Sequence, residues 1–283
     1  MLRFLLICLL ALPAAGQIRT LIIDGQSNHQ AWPEQTPLLK EYLDEMGLFE
    51  VEVLTTPPAG GDMGQFDPDF SKYDLVVSNY NGEPWSPETN QAFEKFVRSG
   101  GGFVSVHAAD NAFPEWKAYN QMIGIGGWGG RTEKHGPYLR LKDGEWVHDP
   151  SPGKGGHHGK RVPYAVDVRE PSHPIMSEMP ERWMHAADEL YDSLRGPAEN
   201  VTVLASGYSD PAVGGTGREE PLIMTIPYGE GRVFHTALGH SVESISCVGF
   251  ITTFQRGAEW AATGEVTQYM PSEFPTATEV LTR

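Results

Sequence analysis

The chain has 283 residues, 40% hydrophobic and 20% charged, and its 21 Lys and Arg against 37 Asp and Glu leave a formal charge of −16. A surface of that sign repels a polyanion, and no cluster of Lys and Arg offsets it, so nucleic acid is excluded as a partner. The length suits one large α/β domain with a full core better than two average ones.

The first sixteen residues differ from the rest: Arg3, an apolar run over 4–12, then Pro13, Ala14, Ala15 and Gly16. Positive charge, a short apolar stretch and small residues in that order predict a secretory leader. Its apolar run is shorter than the roughly 20 residues of a membrane-spanning helix. The expected organisation is a leader over 1–16, an α/β domain over 17–265 and a tail over 266–283 containing Pro271 and Pro275. The expected location is the periplasm or the exterior, with no membrane attachment once the leader is cleaved. Cys8 falls in the leader and Cys247 alone remains, so the core and not an intrachain disulfide must hold the fold.

The mature sequence opens with an apolar run over 18–24, ended by Gly25, which predicts a buried strand. Residues 37–46 place Leu38, Leu39, Tyr42, Leu43 and Met46 on one helical face, with Gly47 beyond. Strands are predicted over 49–54 and 73–79. Ser86, Pro87 and Glu88 form a helix start: a capping hydroxyl, a proline where its missing N–H costs nothing, and an acid at the positive end of the dipole. That helix buries Phe93, Phe96 and Val97 and stops at the glycines of 100–102, after which 103–107 predicts a strand. Strand and helix in such alternation specify a doubly wound parallel sheet, covered on both faces. A helix is predicted over 114–123. The rhythm then breaks over 124–190, where strands over 138–141 and 164–168 flank a Gly/His-rich excursion at 153–159. Regularity returns with strands over 200–205, 222–226 and 232–237 and a helix over 246–262.

In an open parallel sheet, ligands bind beyond the carboxyl ends of the strands. His29 follows the first strand, His107 ends the fourth and His240 follows the last. If these strands are neighbours, three imidazoles share one edge. A second concentration, from His185 through Asp188 and Glu189 to Tyr191, offers carboxylates that can serve as general base, metal ligand or acceptor for sugar hydroxyls. The same acids also suit a helix N-terminus. His157 and His158 read as a solvated loop, His135 and His173 as turn residues, and His235 as core. There is no Gly-x-Ser-x-Gly, no phosphate-binding loop and no His-Glu-x-x-His. The glycines at 124–127 and 214–217 lack a strand-to-helix setting, so no nucleotide is expected. Trp128, Trp146 and Trp183 are candidate stacking surfaces for sugar rings.

Five stretches taken together resemble the trehalose-utilisation (ThuA-like) family. They are residues 21–29, 100–110, 172–175, 188–191 and 228–240, spread over nearly all of the mature chain. The resemblance implies a flavodoxin-like, class I glutamine-amidotransferase-like α/β fold, a parallel sheet with helices on both faces. Amidotransferases present a catalytic Cys on the turn after the equivalent strand. His107 holds that place here, which excludes amidotransfer through a thiolate. The stretch 142–161 is longer than the family pattern. Family context implies glycoside metabolism, often beside oxidoreductases that create a 3-keto sugar. A ketone at C3 acidifies the hydrogen at C2, so a base can remove it and the C1 substituent can leave. On this reading Glu189 or Asp188 is the base. His29, His107 and His240 hold a divalent metal, zinc or another first-row ion, or donate hydrogen bonds. Asn28, Asp110, Tyr191 and His173 are the expected substrate contacts, and His107 is also a catalytic candidate.

The leading expectation is an exported enzyme acting on a glycoside or 3-keto-glycoside by metal-assisted lyase or hydrolase chemistry. A second is a conventional glycoside hydrolase with two carboxylates, drawn from Asp24, Asp110, Asp188 and Glu189, across one crevice. A third is a non-catalytic carbohydrate-binding protein. In each case the partner is a small-molecule carbohydrate, with a homo-oligomer left open.

Overall fold

A computed structural model describes residues 16–283. The expected leader, with Cys8, lies outside the described residues except for Gly16. In chain order come β1 (Ile18–Asp24), α1 (Trp32–Asp44), β2 (Phe49–Thr55), β3 (Leu75–Ser78), α2 (Pro87–Arg98), β4 (Gly102–Val106) and α3 (Lys117–Ile123). The hairpin β5 (Tyr138–Lys142) and β6 (Glu145–Asp149) is followed by β7 (His157–His158), β8 (Val162–Val168), β9 (Arg182–Asp188) and β10 (Tyr191–Asp192). The remaining elements are β11 (Thr202–Ser209), β12 (Arg218–Tyr228), β13 (Gly231–Thr236), α4 (Val242–Ile245) and α5 (Val248–Thr263).

Among the described residues, nine strands form one sheet in the order β2-β1-β3-β4-β13-β12-β11-β8-β9. From β2 to β13 every pairing is parallel, and from β13 to β9 every pairing is antiparallel. The parallel half carries the flavodoxin-like, amidotransferase-like α/β architecture. Helices α1, α4 and α5 pack on one face and α2 and α3 on the other. Coverage on both faces explains the unbroken apolar runs: Leu21, Ile22 and Ile23 in β1 and Leu75, Val76 and Val77 in β3 are all fully buried.

Local signals fixed these elements well where they were explicit. The Ser86 side chain accepts the Thr89 N–H and Pro87 occupies the first turn of α2, as its sequence specifies. Helix α1 starts five residues earlier than the apolar pattern indicates, because its buried face includes the polar Gln35 and Thr36. The largest departure is β9, absent from the sequence reading. It buries Trp183, His185, Ala186 and Asp188, a mixture with no clean alternation. The helix start considered for residues 185–189 is therefore corrected: they close an edge strand. The tail lies along that edge, where the Met184 N–H donates to the Thr276 carbonyl, and Thr282 pairs with the buried Cys247. A segment laid on an edge occupies backbone groups with which another strand would otherwise pair. No helix among the described residues is long and apolar enough to cross a membrane.

Candidate metal centre

Because β1, β4 and β13 are parallel members of one sheet, their carboxyl ends share an edge, and each hands the chain to a histidine. His29 lies on the loop after β1, and its backbone N–H is held by the Ser27 hydroxyl at 3.1 Å. His107 directly follows β4 in a left-handed backbone conformation, φ +43°, that turns its ring out of the sheet and over the edge. His240 follows β13 after Gly239, whose φ is +121° and whose added Cβ would press to 3.2 Å on Phe250. Gln35 of α1 donates to the Gly239 carbonyl at 2.7 Å and fixes that turn.

The three rings meet. Centroids of His29 and His240 are 4.4 Å apart, those of His29 and His107 5.0 Å, and those of His107 and His240 5.6 Å. Glu189, just past β9, brings its carboxylate among them, with Oε2 at 3.0 Å from His240 Nδ1 and 4.0 Å from His29 Nε2. One donor atom from each of His29, His107, Glu189 and His240 lies within 4.8 Å of all the others.

The hydrogen bonding tests whether these donors fit a cation. His107 Nδ1 sits 2.7 Å from the Ala237 carbonyl, which can only accept, so Nδ1 carries the proton and Nε2 keeps its lone pair. That Nε2 is buried and has no hydrogen-bond partner. His240 Nδ1 also lacks one, since its short approach to Glu189 does not have hydrogen-bond angles. Burial holds the His107 imidazole down to about 3, and burial with the neighbouring His240 holds His29 down to about 4. Both rings are therefore neutral at pH 7, the form that binds metal. Burial alone would raise the Glu189 carboxyl, yet His240 and His158 beside it keep it below the usual range. Unpaired imidazole nitrogens around an ionised carboxylate fit a first-row divalent ion.

The other expected site residues divide sharply. Asn28 is at the site: its amide nitrogen lies 3.2 Å from His29 Nε2, oriented by Asn81, which donates to Asn28 Oδ1 at 2.6 Å. Asp188, expected as a base, is corrected to a positioning residue. It is fully buried and accepts the backbone N–H of Glu189, Gly239 and His240 at 2.9, 2.8 and 3.0 Å, with His185 Nε2 at 2.9 Å. No lone pair faces the crevice. Burial works against its charge, but His185 and the backbone donors hold the carboxyl down to about 2, while Asp188 together with Cys247 keeps the His185 imidazole up at about 9 against its burial.

Tyr191, expected on the substrate, is only 1% exposed and stacks behind His107 with centroids 4.0 Å apart. Asp110 is likewise corrected: it is sealed in the core, where its Oδ2 lies 3.2 Å from His235 Nε2. His173 is remote from the cluster, capping the turn at 174–176 and packing on Trp260 of α5. With Asp24, Asp110 and Asp188 all buried, only Glu189 of the four acids faces the crevice, and the two-carboxylate arrangement loses its second member.

His158 was missed. The two-residue ladder between β7 and β10 sets it opposite Tyr191, and its Nε2 reaches to 3.6 Å from Glu189 Oε2. Its Nδ1 donates to the Gly159 carbonyl at 2.8 Å, which points the lone pair of Nε2 at the cluster. The only signal for it was the His157-His158 pair itself, because two residues are too few to show alternation.

Fold and site together define a flavodoxin-like α/β protein with an imidazole–carboxylate cluster at the carboxyl edge of its parallel strands. Within that class, the family described as ThuA, trehalose utilisation, matches residues 19–261, and the chain belongs to this family. It is similar to a ThuA-like protein from Parabacteroides merdae, with 47% identity over 94% of this chain and 98% of that one and a TM-score of 0.91. A ThuA-like protein from Bacteroides uniformis shares the fold at 19% identity, covering 91% of this chain and 96% of that one, with a TM-score of 0.62. No curated protein matches the sequence.

Proposed function

We propose that the chain is an exported, metal-dependent enzyme that acts on a glycoside or 3-keto-glycoside by lyase or hydrolase chemistry. The observation that carries this reading is the buried, unpartnered His107 Nε2 among donors from His29, Glu189 and His240 that all lie within 4.8 Å of one another. The family's link to trehalose utilisation supplies the substrate class. Export rests on the composition of residues 1–16.

His29, His107, His240 and Glu189 are the residues that would hold the ion. When bound, it would supply Lewis-acid polarisation of a sugar oxygen. Glu189 is committed to that set, so the base is His158, which approaches from the half-open rim with its Nε2 lone pair forward. His158 takes the hydrogen at C2, acidified by a ketone at C3. The C–H electron pair becomes the C1=C2 bond as the C1 substituent leaves as an alcohol, taking up the proton that His158 removed. Water added across that bond, H to C2 and OH to C1, completes a net hydrolysis. Asn28 and Asn81 present amides to the substrate hydroxyls at the mouth.

Metal analysis of the purified protein, with turnover of a glycoside and of its 3-keto form, tests the reading. The expected result is one bound divalent ion, turnover confined to the 3-keto form, and loss of both in His107→Ala and Glu189→Gln. Wild-type turnover by both variants removes these residues from the chemistry. Sequencing of the exported protein should begin at Gln17.

A further inference from the structure

The loop that carries Trp128 is built at a cost that packing alone does not explain. Trp128 has φ +50°, a conformation unfavourable for a bulky side chain, and strain of this kind gathers where surrounding structure enforces it for a function. The enforcing structure is visible. Arg131, 1% exposed, donates to the carbonyls of Asn111, Ala112 and Gly127 at 2.9, 2.8 and 2.6 Å, and again to Asn120 Oδ1. A buried guanidinium bonded to Asn111 and Ala112, to Asn120 of α3 and to Gly127 ties three segments together and fixes the residue before Trp128. Trp128 itself is pinned on both sides, its N–H donating to the Gly155 carbonyl and its own carbonyl accepting from Arg131, each at 2.8 Å. Gly156, φ +87°, passes so near that a Cβ would lie 2.6 Å from the indole.

All of this holds one ring beside the cluster. The indole centroid is 4.6 Å from that of Tyr191, which backs His107, and 5.9 Å from that of His158 at the rim. Unlike Trp183, which is fully buried, Trp128 remains partly open to solvent.

We infer that Trp128 is the platform on which the substrate's pyranose ring lies, and so the residue that determines selection of a cyclic sugar. The inference rests on the carbohydrate reading of this site. One face of a pyranose presents C–H bonds with partial positive charge, which complement the negative face of an indole, while the ring's hydroxyls remain free for Asn28, Asn81 and the cluster. A rigid platform adds selectivity because little ordering is left to be done on binding.

The test uses the full mature protein with methyl α-D-glucopyranoside as probe, D-sorbitol as its open-chain counterpart, and saturation-transfer NMR with calorimetry as readouts. Wild-type protein is expected to saturate the C–H protons of one ring face and to ignore sorbitol. Trp128→Ala should lose about tenfold in affinity, equivalent to roughly 1.4 kcal/mol. Trp128→Phe, which keeps a ring, and the control Trp146→Ala should stay within about threefold, all with unchanged metal content. Wild-type affinity in a folded Trp128→Ala, equal binding of sorbitol, or no saturation transfer to the wild type overturns the inference. If Trp128→Ala does not fold, Trp128→Phe and the wild-type saturation pattern decide. Ring binding by a wild-type protein that carries no ion would sink the metal reading and leave the platform standing.

Discussion

The two halves of the sheet contribute to the centre in different ways. The parallel half delivers His29, His107 and His240 by direction alone, since all its strands point their carboxyl ends at one edge. The antiparallel half alternates direction, so only selected ends reach that edge, and Glu189 arrives there from a single edge strand. The histidine turns take local anchors, Ser27 for His29 and Gln35 for His240, but an end that arrives alone needs a larger one. Glu189 has one: the Asp188–His185 pair buried behind it, with Asp188 bonding the backbone of Glu189, Gly239 and His240. That carboxylate stitches the end of β9 to the end of β13, one half of the sheet to the other.

Substitutions on the two sides separate these contributions. His107→Ala removes a donor whose buried lone pair is held forward by the Nδ1 bond to the Ala237 carbonyl, and metal affinity should fall by more than about a hundredfold, beyond the loss typical of outer partners. Calorimetric titration of the apoprotein with zinc measures it, and a loss below tenfold would mean the parallel half does not supply the ion's main ligand. Asp188→Asn should act through position. Affinity falls about 10- to 100-fold while thermal stability drops, because His185 is left charged and poorly paired in the interior. A variant that binds zinc normally would show that the two halves need no stitch.

The same pair sets a pH signature. His185 is raised in the folded state to about 9, so its contribution is fully present below its unfolded value of about 6.5 and is lost as pH rises through 9. Asp188 is depressed to about 2, so its contribution is present above about 4 and lost as pH falls through 2. Stability from the pair should peak between about pH 4 and 6.5 and decline on the alkaline side by on the order of 3 kcal/mol. Denaturant melts of wild type and His185→Gln across pH 5–10 should show that decline in the first and a flatter profile in the second. The smallest effect is expected at His173→Ala, which touches neither half's contribution: zinc affinity and turnover unchanged, with a melting point lowered slightly through the lost contact with Trp260.

What could be read in advance follows the same division. β1, β3 and β4 were legible as short apolar runs, β1 ended by Gly25 and β4 preceded by the glycines of 100–102, and α2 as a capped helix, because each signal lies within a few adjacent residues. The three histidines were legible through a rule about strand ends. β9 was not, since its inward side chains include His185 and Asp188, which bond to each other and leave no apolar period. For the same reason Asp188 and Asp110 looked like free acids: a carboxylate's partner, whether backbone N–H groups 51 and 52 residues away or His235, is invisible in the neighbouring sequence. His158 and Trp128 reach the centre only through the β7–β10 ladder and the Arg131 loop.

By itself the sequence determined the parallel α/β half, the acidic surface and the identity of the imidazoles available at the sheet edge, because strand direction and side-chain period are local properties. Tertiary structure decided which acid stands among those imidazoles and which are consumed as internal struts. It also decided which ring stands open beside them. Those choices depend on which polar atoms lose water and which partners they then meet, and desolvation is a property of the packed molecule, not of any segment.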